Sequence, residues 1–387
     1  MNILFLCEGN AESWDAWSGI CKSIVDHLRA NGHTVETRNL DLTGADKWIA
    51  AAATVATNKR RWGTRYHLGP VPFALRSRRA SRYVAERRST IDAIVQVGAT
   101  FEVTGAEGIP YFLCCDSNIR MAQYGQSTGY SDASPLSEAE LAAIGRREAN
   151  VYRKADVIFP LSERLRRSFV DDFAIPADRV RAIYAGPNFV SDRATSAGSG
   201  MPAKGAPTAL FVGLQFHRKG GDILVESFRR VRAQLPDAQL LLAGVPADFI
   251  QEPGITCLGI LNKNQPSGAA ALADAYASAD VFVLPTRFEP FGIVFVEAMH
   301  FGLPCIGPNS WAVPEIIADG ETGFTVPIDN VDALTDRLVR LLGDRSLAST
   351  MGRAGQERAR QLFTWPHVVE RMTDGMTAVM RTNAQAH

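Results

Sequence analysis

Short apolar runs of strand length alternate with helix-length amphipathic patterns along the whole 387-residue chain. That alternation points to parallel sheets flanked by helices. In the first half the strand-like runs are 2–7, 93–97, 111–115 and 157–159. A helix is expected over 20–29, where Ile20, Ile24, Val25 and Leu28 recur at helical spacing before Asn31-Gly32. Ser162 is placed to cap another helix. In the second half the strands are 209–212, 239–243, 255–258, 281–284 and 305–306, with helices over 223–235, 269–279, 293–301 and 331–342. Trp365-Pro366 opens a final helix through Val368, Val369, Met372 and Met376. The stretch 187–207 between the two series is rich in small residues and poor in apolar ones, as a linker is. The expected organisation is a first domain over 1–190, a linker over 191–207, a second domain over 208–364 and a helix over 365–387 that packs back on the first. Ligands of such doubly wound sheets sit beyond the carboxyl ends of the strands. The cleft between the two units is therefore the expected site.

Composition narrows the function by exclusion. With 46% hydrophobic and 21% charged residues the chain is ordinary globular material. Lys+Arg and Asp+Glu both total 41, so no overall field favours nucleic acid, and no nucleic-acid partner is expected. No apolar run approaches the ~18 residues that span a bilayer. The opening Met1-Asn2-Ile3-Leu4-Phe5-Leu6-Cys7 reads as a buried strand instead of a secretion signal. Six cysteines without a C-x-x-C pair suggest reduced thiols and a cytoplasmic protein. His27, His33, His67 and His367 have no metal-like spacing. One segment departs from neutrality: residues 59–88 hold ten Lys/Arg against the single acid Glu86. Such a patch suits peripheral contact with an anionic membrane or an acidic acceptor; the plain alternative is a solvated helix face balanced by acids elsewhere.

The most informative stretch is 281–299. A strand ends at Pro285, a short loop carries Glu289, and Gly292 precedes an apolar helix that contains Glu297. Amides at such a helix start can hold phosphate or polarised sugar oxygens, and glycine lets the backbone approach a ligand. If the helix begins near Gly292, the two glutamates lie ~8 Å apart along its axis at 1.5 Å per residue. That separation suits two parts of one extended ligand. Read alone, the pair is better explained by a glutamate that caps or pairs locally and a solvated loop acid.

In context, the stretch resembles the E-x7-E signature of the retaining glycosyltransferases of family 4, the group 1 transferases. Phe211-Val212-Gly213 through Arg218-Lys219-Gly220-Gly221 resembles that family's glycine loop. Similar matches are Trp17-Ser18-Gly19, Asp156 with its strand, Leu258-Gly259-Ile260-Leu261, Asp280 with its strand, Val313-Pro314-Glu315 and Asp319-Gly320-Glu321-Thr322-Gly323. The resemblance implies the GT-B fold, an α/β architecture of two Rossmann-like doubly wound domains facing each other across a cleft. It implies that Glu289 contacts the donor sugar, that Glu297 holds the ribose, and that Lys219, with Arg218, neutralises the diphosphate. Main-chain groups of Pro290, Phe291, Gly292, Ile293 and Val294 would meet sugar and diphosphate. Gly19 and Gly213 would line the donor site, and Gly259, Ile260 and Leu261 would read the base. Two positions depart from the family: Leu214 stands where relatives carry Arg, and Asp116 is the nearest polar residue where many carry His. Asp116 is thus the candidate catalytic group of the first domain.

The function so implied is metal-independent transfer, with retention, from an NDP-sugar (UDP, GDP or ADP) to an unidentified hydroxyl acceptor. No D-x-D pair occurs in the sequence, and neither a metal ion nor another cofactor is expected. Trp14 and Trp17 could form a sugar platform or part of a core, and His217 lies close enough to the phosphate loop to touch donor. Two other readings stay open: a nucleotide-sugar-binding module without transfer, and a GT-B-type epimerase or phosphorylase.

Overall fold

The computed structural model describes residues 1–188 and 205–385. Most of the expected linker 191–207 lies outside the described residues. The chain divides into two units, Met1–Tyr184 with Trp365–His387, and Ala185–Thr364.

In the first unit the order is β1 (Asn2–Cys7), α1 (Ile20–Ala30), β2 (Thr34–Asn39), α2 (Gly44–Ala53), α3 (Lys59–Leu68), α4 (Pro70–Arg87), β3 (Ala93–Val97), β4 (Tyr111–Cys115), α5 (Ile119–Tyr124), α6 (Glu138–Lys154), β5 (Val157–Pro160) and α7 (Glu163–Phe173). All strand pairs are parallel, in the order β2-β1-β3-β4-β5. Every residue of β3 and β4 is buried, as a parallel sheet covered on both faces requires. Ser162 does cap α7, accepting from the Leu165 amide at 3.1 Å. Strand β2 escapes a reading by apolar runs because Thr-Val-Glu-Thr-Arg-Asn is a sheet edge with only Val35 buried.

The second unit contains β6 (Thr208–Val212), α8 (Gly221–Gln234), β7 (Gln239–Ala243), β8 (Ile255–Cys257), α9 (Pro266–Ser278), β9 (Val281–Val283), α10 (Ile293–His300), β10 (Cys305–Pro308), α11 (Val313–Ile316), β11 (Gly323–Val326), α12 (Val331–Gly343) and α13 (Arg345–Leu362). Its parallel sheet runs β11-β10-β9-β6-β7-β8. Strand β6 pairs with both β7 and β9, so the order reverses there. Asp280 ties the two central strands by accepting from the Thr208 amide at 2.8 Å. The loops that leave β6 and β9 thus emerge side by side at a topological switch point, where such sheets bind ligands.

The chain ends in α14 (Trp365–Gln385), which belongs to the first unit. Trp365 meets His27 with ring centroids 6.5 Å apart. Gly375 lies so close to Phe159 that a Cβ there would come within 2.9 Å of its ring.

Candidate functional site

Two loops at the switch point of the second sheet build the site. The first leaves β6 at Gly213 and turns into α8 through Gly220, whose φ of +73° is in the left-handed region. A Cβ on Gly220 would stand 2.0 Å from the Pro285 carbonyl oxygen, so only glycine lets this loop reach the one after β9. The Arg287 amide donates to the Arg218 carbonyl at 2.9 Å, and the Arg218 guanidinium donates to the Phe288 carbonyl at 2.7 Å. Arg218 also donates to Gln215 Oε1 at 2.6 Å.

This mutual bracing delivers Lys219 to Glu289. The ammonium binds Glu289 Oε2, and both side chains are largely buried. Burial draws the Lys219 ammonium below its usual pKa and the Arg218 charge pushes the same way, while Glu289 opposes them. Next along the chain, Gly292 adopts φ +98° and caps α10 without any side-chain hydrogen bond. A Cβ at Gly292 would sit 2.8 Å from the Phe295 ring and 3.2 Å from Glu289 Cγ. The first-turn amides of Ile293 and Val294 therefore face no side-chain cap, which leaves a positive helix end beside Glu289.

Glu297, in the second turn of α10, is fully buried. Its Oε1 accepts from Lys263 Nζ at 2.5 Å and from the Asn188 amide at 3.2 Å, and its Oε2 from the Tyr276 hydroxyl at 3.0 Å. Burial, followed by the adjacent Glu297 charge, raises the Tyr276 phenol well above its ordinary value. A buried carboxylate needs partners of this kind. Both glutamates of the motif are thus paired with lysines, one on each side of an uncapped helix start.

Lys263 was not legible in the sequence: it lies in a polar loop after β8, and only the neighbouring 259–261 was singled out. Arg287 was missed as well. It is 7% exposed, grips Asp222 with two bonds of 2.8 and 2.9 Å, reaches Asp329 at 2.7 Å and donates to the His217 carbonyl. It thereby pins the phosphate-loop candidates to the β9 loop. Burial favours a neutral Asp222, but Arg287 outweighs it and holds the carboxyl below the usual range.

The remaining candidates separate into two groups. Gly213, Gly259, Ile260, Leu261, Pro290 and Phe291 share the second unit with the lysine–glutamate pairs. Gly259 accepts from the Gly244 amide at 2.9 Å, which sets the 259–261 loop beside the end of β7. Phe291 is buried. The His217 side chain is exposed and its Nδ1 lies 3.8 Å from Asp222. Gly19 and Asp116 belong to the first unit, at the start of α1 and just beyond β4. Trp17 packs against Gly98, where a Cβ would come within 2.5 Å of its ring. Trp14 lies under Lys22 at 5.5 Å.

Within the basic segment 59–88 most arginines have partners. Arg76, 2% exposed, meets Glu8 at 2.9 Å. Arg61 and Arg65 share Glu140 at 2.8 and 2.6 Å, and Arg87 reaches Glu36 at 3.0 Å. Arg60 and Arg88 donate to backbone carbonyls, to Ser131 at 2.7 Å and to Glu107 at 2.6 Å respectively. Much of the local excess of charge is therefore balanced within the fold. No described helix is long and apolar enough to cross a membrane.

Residues 206–344 match the family model described as glycosyl transferases group 1. Over 248 residues the chain is 27% identical to the alpha-maltose-1-phosphate synthase of Mycolicibacterium smegmatis, covering 58% of this chain and 63% of that protein. Over 180 residues it is 31% identical to the GDP-mannose-dependent alpha-(1-6)-phosphatidylinositol monomannoside mannosyltransferase of Mycobacterium tuberculosis, covering 43% and 46%. The chain thus spans less than two thirds of the length of these curated relatives. Sucrose-phosphate synthase of Thermosynechococcus elongatus superposes with a TM-score of 0.70 at 20% identity, over 99% of this chain and 100% of that one. HepE of Anabaena, solved with UDP and glucose, gives 0.61 at 17% identity, over 97% and 99%. These likenesses show the fold: two parallel-sheet α/β domains of the GT-B kind.

Proposed function

We infer that this chain, whose residues 206–344 match the model of the group 1 glycosyl transferases, moves a sugar from a nucleoside diphosphate to a hydroxyl acceptor. The reading includes retention at the anomeric carbon and no metal ion. One observation carries it: the Lys219–Glu289 contact beside the uncapped start of α10, with Glu297 one turn further on. Breaking the anomeric bond places negative charge on the leaving diphosphate and positive character on the sugar. Lys219 and the first-turn amides of α10 can stabilise the first, and Glu289 the second. When donor enters, the diphosphate offers Lys219 an anionic partner in place of Glu289, which frees that carboxylate to meet the sugar. Glu297, already accepting three hydrogen bonds, is a fixed acceptor suited to ribose hydroxyls. Asp116, half-buried beyond β4, is assigned to the acceptor side.

The names of relatives support a nucleotide-sugar donor without choosing one, since they include a GDP-mannose-dependent mannosyltransferase and a fold neighbour solved with UDP. The test is to incubate the protein with UDP-, GDP- and ADP-sugars and measure diphosphate release, with and without hydroxyl acceptor pools and with chelator present. Acceptor-dependent release that survives chelation is expected. NMR of the product should give the donor's own anomeric configuration, and an inverted product contradicts the retaining route. Leu214, 71% exposed where relatives carry Arg, favours the second reading of a binding module. Tight donor binding with no release under any condition would establish that one instead.

A further inference from the structure

A cavity of about 190 Å³ opens in the first unit beside the start of α2, lined by Thr43, Asp46, Arg78, Arg79 and Arg82. Its lining contains no apolar side chain, and three guanidiniums against one carboxylate give it a formal charge of two positive. Arg79 is pinned: one terminal nitrogen donates to the Asp41 carbonyl at 2.6 Å and to Thr43 Oγ1 at 3.3 Å. Its Nε is buried and has no hydrogen-bond partner among the described residues. Arg78 and Arg82 are 73% and 63% exposed and engage Asp46 and Glu86 loosely, at 3.4 and 3.8 Å. Thr43 is the N-cap residue of α2, yet its hydroxyl makes no capping bond to that helix. The positive end of a ten-residue helix thus adds to the arginine charge.

We propose that this cavity is a binding pocket for a phosphoryl group, held by Arg78, Arg79 and Arg82. Planar guanidinium forks match the oxygens of a phosphoryl group, and several of them around one hollow suit a doubly charged anion better than a carboxylate. Asp46 sets the selectivity, because it pairs with Arg78 when the pocket is empty and a weak anion does not displace it. The group can arrive on an anionic lipid headgroup or on a soluble phosphorylated molecule; the recognition chemistry is the same. The proposal does not rest on the transfer reading above.

The test titrates glycerol 3-phosphate and inorganic phosphate into the full chain by calorimetry at low salt, in wild type and in the R78E/R82E double variant. Both are repeated on a Lys219→Ala background, so that anion held at the second unit is not counted. Saturable binding, weakened at least tenfold by the double reversal and not competed by acetate, is the expected result. Sedimentation with phosphatidylglycerol and phosphatidylcholine vesicles then separates the sources. Retention on the anionic vesicles that the double reversal abolishes identifies a headgroup, and binding of the soluble phosphates alone identifies a soluble ligand. The proposal is overturned if wild type binds neither, or if the reversal leaves binding unchanged. Should the double variant melt early, Arg78→Gln and Arg82→Gln, at exposed positions, each carry the same expectation with a smaller loss.

Discussion

Each unit is built on its own parallel sheet with a reversal in strand order, and the two use charge differently. In the first, arginines tie helices to the framework: Arg76 to Glu8, Arg61 and Arg65 to Glu140, Arg87 to Glu36. Burial pushes the Glu140 carboxyl upward, but Ser137 and the two arginines outweigh it and hold it at about 2. In the second, arginines again brace the loops, Arg287 to Asp222 and Arg218 to the Phe288 carbonyl, but two lysines are set against the glutamates of one motif. An arginine fork held by fixed planar partners, as in Arg61, Arg65, Arg76 and Arg87, stays with the framework, whereas a lysine is a compact charge on a flexible stem that can be passed from a carboxylate to a ligand. A count of charges, highest in the first unit's 59–88 segment, therefore does not locate the proposed donor site. The type of cation and what faces it do.

The sharpest way to break this contrast is a matched pair of variants. Lys219→Ala should lower turnover on the order of a hundredfold, or about 3 kcal/mol at 1.4 kcal/mol per tenfold. Arg65→Ala should lower the melting temperature and leave turnover within about twofold, because its charge serves only α3 and α6. Steady-state kinetics on both variants decides. Wild-type-like turnover in Lys219→Ala would remove the mechanism's main cation.

A second comparison concerns carboxylates. Glu297 in the second unit is buried with a lysine, whereas Glu148 in the first is 8% exposed and accepts from the Ile119 amide at 3.0 Å. Burial raises the Glu148 carboxyl to about 7, against the Ile119 amide and the more distant Arg147 and Arg120 charges. The folded state then keeps a proton that the unfolded chain releases near its ordinary value of 4.5. Stability from this group is full below that value and is lost as pH rises through about 7. Glu148→Gln, neutral at every pH and still an acceptor for the amide, should remove this dependence. Its advantage over wild type should be on the order of 2 kcal/mol more at pH 8 than at pH 5, read from denaturant melts. An advantage independent of pH would mean that the acid is ionised throughout.

The second unit was the more legible of the two, for physical reasons. Strands 239–243 and 281–284 are dense apolar runs, and Glu289, Gly292 and Glu297 fall within a single stretch that must be strand, loop and helix. Sequence distance there approximates spatial distance. Lys263 and Arg287 escaped because nothing local marks them: each acquires its partner through the fold, 34 residues away at Glu297 and 65 away at Asp222. In the first unit, α3 and α4 went unread. Their arginines hide the apolar period, and Gly69-Pro70-Val71-Pro72 reads as a break although Pro70 simply begins α4. The same arginines suggested an outward-facing basic patch. Sequence shows their charge but not the acids that come from α6, β2 and the loop after β1 to meet them.

Lys263 gives the finest test of the contrast, because its partner keeps two other hydrogen bonds when it is lost. Without it, Glu297 still accepts from the Tyr276 hydroxyl and the Asn188 amide, but a buried carboxylate loses its counter-charge, so the melting temperature should fall and kinetics are read well below it. What goes is a cation beside the acceptor proposed for the ribose, a contact made equally before and during bond breaking. Such a contact acts on binding and not on the chemical step. Lys263→Met should raise donor KM about tenfold, or 1.4 kcal/mol, and change kcat less than about threefold, the reverse of Lys219→Ala. If kcat falls as far as it does in Lys219→Ala while KM stays put, the two lysines do one job, and the division between a phosphate-side pair and a ribose-side pair fails.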